Sequence, residues 1–265
     1  MKMIALISVV LNMYRACKIK KKIIQLSLFI ACLGMTTLSM GQTSSDVDPD
    51  LKEGILHYGK ENYEEAIISF KKAANRGEAN AMLYLSTIYL GLDGKTTVNE
   101  EESFNWLRKA AMHGQDMALY RMATLYYTGS KYVEKDISKA IAYFAKSADA
   151  GNANAAYTLA SIYNNDEVVA KNSARFIHWM KTAANLDHKD AAFNLGVLYY
   201  NGEDIEQDLE TAVHWFIKAD SFGSQEAYDA LEKLARNEEI LKFENIRKML
   251  ESWEIKQASG FYIPF

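Results

Sequence analysis

Residues Asp190 to Gly223, DAAFNLGVLYYNGEDIEQDLETAVHWFIKADSFG, decide how the chain is read. Ala191, Leu195, Gly196 and Tyr199 recur at helical spacing, and Ala212, Trp215, Phe216 and Ala219 do so again further on. Between the two runs lies a turn that begins near Gly202 and ends at Asp208, a residue type whose side-chain oxygen caps a helix start. The stretch therefore reads as two helices joined by a turn and closed by Gly223.

The same unit recurs along the chain. Gly77, Gly114, Gly151, Asp187 and Gly223 close successive units at spacings of 37, 37, 36 and 36 residues, the mark of stacked helix pairs. Eight residues after these positions stand Leu85, Met122, Leu159, Leu195 and Leu231; twelve after the first four stand Tyr89, Tyr126, Tyr163 and Tyr199. Beside the leucine position lie Ser86, Ala123, Ala160 and Gly196, small residues where two helices come close. Each second helix starts from Asn62, Asn99, Asp136, Asn172 or Asp208. Seven residues on come Ser69, Trp106, Tyr143, Trp179 and Trp215, and four after those come Ala73, Ala110, Ser147, Ala183 and Ala219.

On Ala191, Leu195, Gly196, Tyr199, Gly202, Ile205, Asp208, Ala212, Trp215 and Ala219 the stretch resembles one Sel1-like repeat. The resemblance implies an all-α, right-handed α-solenoid of antiparallel helix pairs, related to tetratricopeptide arrays. Residues 78–223 then hold four such repeats. Residues 50–77, with the run GILHYGKENYEEA from Gly54 to Ala66, look more like a tetratricopeptide unit. Residues 224–257 read as capping helices, atypical because an end unit faces water, and 258–265 as a tail. Glu238 to Lys256 is expected to form one final amphipathic helix with Ile240, Leu241, Phe243, Ile246, Met249, Leu250 and Trp253 on its apolar side. The 152–187 unit is the least regular: Asn164-Asn165-Asp166-Glu167 replaces the glycine turn, Phe176 an alanine and Asp187 the closing glycine.

The amino terminus carries a different signal. Residues 1–41 contain Lys2, Arg15, Lys18, Lys20, Lys21 and Lys22, no acidic residue, the apolar run Ile23 to Leu38, and the small-x-small triplet Ser39-Met40-Gly41. This is the layout of a secretory signal peptide, followed by a polar linker over 42–49. Two alternatives stay open: a lipoprotein signal, because Cys32 follows Phe29-Ile30-Ala31, and an uncleaved membrane anchor, although the run is short for a span of roughly 20 residues. The expected location is thus periplasmic or secreted, with any membrane association through this segment alone. Removal of the leader takes away both cysteines, Cys17 and Cys32, and leaves 24 basic and 34 acidic residues. A net charge near −10 argues against nucleic acid as a partner.

No catalytic signature emerges. The chain beyond the leader has no cysteine nucleophile, no phosphate-binding glycine loop and no HExxH or CxxC spacing, so neither an active site nor a cofactor nor a metal is expected. His178 and His214, each before a tryptophan, occupy equivalent places in adjacent units, where packed helices hold them roughly 8–10 Å apart, too far to share a metal.

The functional candidate is a surface. In tetratricopeptide-like arrays the first helices line a concave groove, and the resemblance places the residues three, six, ten and thirteen past each closing position in it. These are Met117, Tyr120, Thr124 and Tyr127; Asn154, Tyr157, Ser161 and Asn164; and Asp190, Phe193, Val197 and Tyr200. The register extends to Asn80, Leu83, Thr87 and Leu90 on one side and to Glu226, Asp229 and Lys233 on the other. Rings beside amides suit an extended peptide or a sugar chain, and the expected partner is a protein or peptide. A packed ladder of Tyr120, Tyr157 and Phe193 that binds nothing is the competing reading. The family resemblance implies a non-enzymatic adaptor. The alternatives are a hydrolase or binder of cell-wall material or β-lactams, and a structural subunit of an envelope complex.

Overall fold

The structure, a computed structural model, describes residues 47–91, 98–202 and 204–259. The leader, the linker before Val47 and the tail from Gly260 lie outside the described residues. Every regular element among the described residues is an α-helix, and the chain divides into two compact units at Ser103/Phe104.

The first unit holds α1 (Pro49–Gly59), α2 (Tyr63–Asn75), α3 (Ala79–Tyr89) and the start of α4 (Glu100–Met112). Asp48 starts α1: its Oδ1 accepts the Leu51 amide at 3.0 Å, and Pro49 suits the first turn because it has no amide to satisfy. The Arg76 guanidinium, just past α2, donates to both Asp48 oxygens at 2.7 Å and also reaches Asp50. That pairing holds the Asp48 carboxyl at about 2, well below the usual range. Gly54 of α1 lies under Phe70 of α2, so close that a Cβ there would stand 2.5 Å from the ring. Phe70 in turn stacks on Tyr84 of α3 at 4.7 Å.

The second unit continues with α5 (Asp116–Thr128), α6 (Ile137–Asp149), α7 (Ala153–Tyr163), α8 (Ser173–Asn185), α9 (Lys189–Asn201), α10 (Leu209–Ser221), α11 (Gln225–Ala235), α12 (Glu238–Leu241) and α13 (Glu244–Ser259). Each of α6, α8 and α10 packs on the helix before it and on the one after it. Seams of alanine allow this, with Ala140, Ala155, Ala160, Ala183, Ala191 and Ala219 fully enclosed around Leu159 and Leu195. At Gly196 a Cβ would meet the Phe216 ring at 2.5 Å, the same close approach as Gly54 with Phe70.

Four of the five expected second-helix caps form. Asn99, Asp136, Asn172 and Asp208 each accept the amide three residues on, at 2.9–3.1 Å. Asn62 stands at the right place and makes no such bond. Glu61 before it is left-handed (φ 61), and Asn62 has ψ 74 where the capping residues of α6, α8 and α10 lie near 100, so its side chain is turned away from the amide. The register tyrosines each carry a cation over the ring: Lys71 at Tyr89, Lys139 at Tyr126, Arg175 at Tyr163 and Lys181 at Tyr199, all within 5.7 Å.

The final helix is not continuous. Asn237 caps α12, the chain turns after Leu241, and α13 packs back on α10 and α11. Ile240, Ile246, Leu250 and Trp253 are buried as the apolar pattern requires, while Phe243, at the break, is 55% exposed and leaves that face. One polar contact explains why α13 docks where it does. Asp220 stands where the earlier units have Ala74, Ala111, Ala148 and Ala184, and its buried Oδ2 accepts from Trp253 Nε1 and from Gln257 Nε2, both at 2.8 Å.

Two outcomes follow from these packings. Gly196→Ala is expected to lower stability by about 1–3 kcal/mol by overpacking against Phe216. In a double-mutant cycle read by urea melts, Phe216→Leu should cost less in the alanine background than in the parent, whereas additive costs would disprove the clash. Trp253→Phe should cost about 1–3 kcal/mol by depriving the buried Asp220 oxygen of a donor. Asp220→Ala should recover part of that loss, because alanine fills the same place in every earlier unit.

Candidate functional site

The candidate face is presented by α5, α7 and α9, all in the second unit. Each helix starts from a side-chain cap one residue past the closing position. The Ala118 amide donates to Gln115 Oε1 at 2.6 Å, that of Ala155 to Asn152 Oδ1 at 3.0 Å, and that of Ala191 to His188 Nδ1 at 3.3 Å. Ser224 does the same for α11. Gln, Asn, His and Ser share an acceptor atom and little else, so this row of caps has no single-residue signature in the sequence. Asp187, in place of the closing glycine, keeps the left-handed turn at φ 64, close to Gly114 and Gly223.

From these starts the side chains of the expected groove sort into three kinds. Tyr120, Tyr157 and Phe193 are half-buried, and each ring is held by a different contact. Tyr120 sets its edge on Phe144 at 5.4 Å, and Phe193 lies 5.7 Å from Phe216, in both cases on the second helix of its own pair. Met180 stands where those pairs have phenylalanine, and Tyr157 instead stacks on His188 of the next unit at 4.4 Å with an interplanar angle of 12°. The three rings make no ring contact with one another among the described residues.

The second kind is hydroxylic. Thr124 donates to the Tyr120 carbonyl at 3.0 Å and Ser161 to the Tyr157 carbonyl at 3.1 Å, so these hydroxyl hydrogens are spent inside their own helices. Asn154, Asn164, Asp190 and Tyr200 form the third kind, exposed to solvent, with Met117, Tyr127 and Val197 half-buried beside them. The register carries over to α3 only in part: Asn80 is exposed and Leu90 half-buried, but Leu83 and Thr87 are 2% and 3% exposed and belong to the core, with the Thr87 hydroxyl donating to the Leu83 carbonyl. Glu226, Asp229 and Lys233 on α11 are exposed as expected.

Around Tyr157 the structure gathers a polar cluster that the sequence did not single out. Asn194 Nδ2 donates to the Tyr157 hydroxyl at 3.3 Å, and His188 lies against the ring. Burial pushes the Tyr157 phenol up, and the nearby Asp190 charge adds to the shift. Burial pushes His188 down, with Asp190 opposing it, so the imidazole is neutral at neutral pH and its Nδ1 is available as an acceptor.

His178 and His214 are exposed and set edge-on to their neighbouring tryptophans, at 4.9 and 5.7 Å. Among the described residues no three His, Cys, Asp or Glu side chains gather as a metal site, and no helix is long and apolar enough to cross a membrane. An open cleft of about 510 Å³ lies elsewhere, between the starts of α10 and α13, lined by Leu209, Glu210, Phe243 and Ile246 among others.

The Sel1 repeat family model matches residues 53–78, 79–115, 116–152, 153–188 and 189–219. The first of these segments covers most of the 50–77 unit expected to be tetratricopeptide-like, so the family model matches five Sel1 repeats where the sequence reading expected four. Among solved structures the chain is similar to a Sel1 repeat protein from Oxalobacter formigenes, at 28% identity and TM-score 0.57, over 64% of this chain and 49% of that one. It also shares its fold with a protective antigen of uropathogenic Escherichia coli that displays an SLR fold, at 23% identity and TM-score 0.55, over 78% and 49% of the two chains. The chain spans about half the length of each. None of the curated proteins matches it.

The His188 cap is expected to make stability pH-dependent. A histidine whose folded pKa lies below the unfolded value of about 6.5 contributes its full stability above that value, and the contribution is lost as pH falls from there through the folded pKa. His188→Asn, the residue that caps α7, should flatten this part of the stability curve when chemical denaturation is compared at several pH values below neutrality. An unchanged slope would show that His188 is not held neutral in the fold.

Proposed function

The chain belongs to the Sel1 repeat family, and from that premise we propose that it is a non-enzymatic scaffold that holds a protein or peptide segment along the α5, α7 and α9 face. Sel1 repeats are generally protein-interaction modules. The observation that carries the reading is the exposed row Asn154, Asn164, Asp190 and Tyr200 beside half-buried aromatic rings whose positions are already set by packing. A partner would meet rings that lose little freedom on binding and amides able to read its main chain. The leader read in residues 1–41 supports an exported protein that meets this partner in the periplasm or outside the cell.

The test uses a photoreactive residue placed at exposed Asn154 and, as a control, at exposed His178 on α8. Crosslinking in the native envelope should give a discrete adduct from position 154 that is absent from position 178. Equal adducts from both, or an adduct from 178 alone, would contradict the assignment of the face.

A further inference from the structure

Asp190 presents an exposed carboxylate on the α9 part of the candidate face. This inference rests on the groove reading above. Asp190 is exposed in the first turn of α9 and has no hydrogen bond or ion pair with any described residue. The acidic residues on the next first helix are already engaged: Asp229 accepts from Gln225, and Glu226 from Ser224 while Lys189 lies within its electrostatic reach. The charged residues of the groove register on α9 and α11 are Asp190, Glu226, Asp229 and Lys233, with exposed Lys189 adjacent to Asp190. Asp190 lies two residues past His188, and its charge is within electrostatic reach of both rings of the Tyr157–His188 stack, while burial disfavours the charged form of His188.

A carboxylate without a partner, set beside aromatic surface, matches a group with an apolar stem and a cationic head. We propose that the α7–α9 face takes an extended peptide whose Lys or Arg pairs with Asp190 while its aliphatic stem lies against the Tyr157–His188 stack and Phe193. The predominance of acidic residues in the chain beyond the leader, 34 against 24 basic, steers the same kind of partner.

The probe is a displayed library of random linear peptides, selected on the purified full chain and then measured singly by surface plasmon resonance. Enriched peptides should carry Lys or Arg at one fixed position. Asp190→Asn should weaken them by about two- to fivefold, as for an exposed ion pair, and reduce the salt dependence of binding. Asp190→Lys, checked by circular dichroism for an intact fold, should shift the enriched position toward Asp or Glu. Peptides without a basic residue, or with affinity unchanged in Asp190→Asn, would overturn this inference and leave the groove reading standing. No enrichment, or peptides whose binding survives the bulky Asn154→Trp, would overturn the groove reading together with it.

Discussion

The seating of a large second-helix side chain over a small first-helix residue sets the geometry on which the rest of the fold depends. Phe216 over Gly196 and Phe70 over Gly54 bring two backbones as close as a missing Cβ permits. With that distance set, the alanines at Ala160, Ala183, Ala191 and Ala219 form the seam between successive pairs. Larger residues along the seam would widen the spacing, and the loss of dispersion contacts would repeat at every joint. A period of 36 or 37 residues is the sequence trace of one joint used several times over.

The same seam leaves the first helices with a free side, and the free side is uneven. Tyr120 and Phe193 lean on the phenylalanine of their own pair, whereas Met180 gives Tyr157 no ring to lean on and the stack with His188 takes its place. At the most irregular unit of the sequence a ring bridges two repeats, as Phe70 and Tyr84 do earlier in the chain, and there a helix cap and a phenol both lie within reach of the Asp190 charge. Irregularity in a repeat array here marks a place where one unit makes a contact that its neighbours do not.

Much of the fold was legible because it depends on residue types that recur: the small residues, the register tyrosines, and four of the five second-helix caps. What was not legible depends on context. Asn62 is the right residue in the right place, yet the left-handed Glu61 turns it off the amide. Phe243 continues an apolar pattern that a straight helix would bury, and the break after Leu241 carries it into solvent. Asp220 departs from the alanine that holds its place in the earlier units, and only its donors from α13, Trp253 and Gln257, account for a buried carboxylate there. On the candidate face, the register located the exposed asparagines and Asp190. It could not tell that Ser161 and Thr124 turn their hydroxyls inward, or that Leu83 and Thr87 are core.

The central claim is that the second helices build the scaffold while the free side of the first helices meets the partner. Amide hydrogen exchange, followed by mass spectrometry with and without a saturating bound peptide, tests it most directly. Added protection should concentrate on Asp116–Thr128, Ala153–Tyr163 and Lys189–Asn201, with little change over Ile137–Asp149, Ser173–Asn185 and Leu209–Ser221. Protection centred on the second helices, or on the cleft beside Phe243, would contradict it.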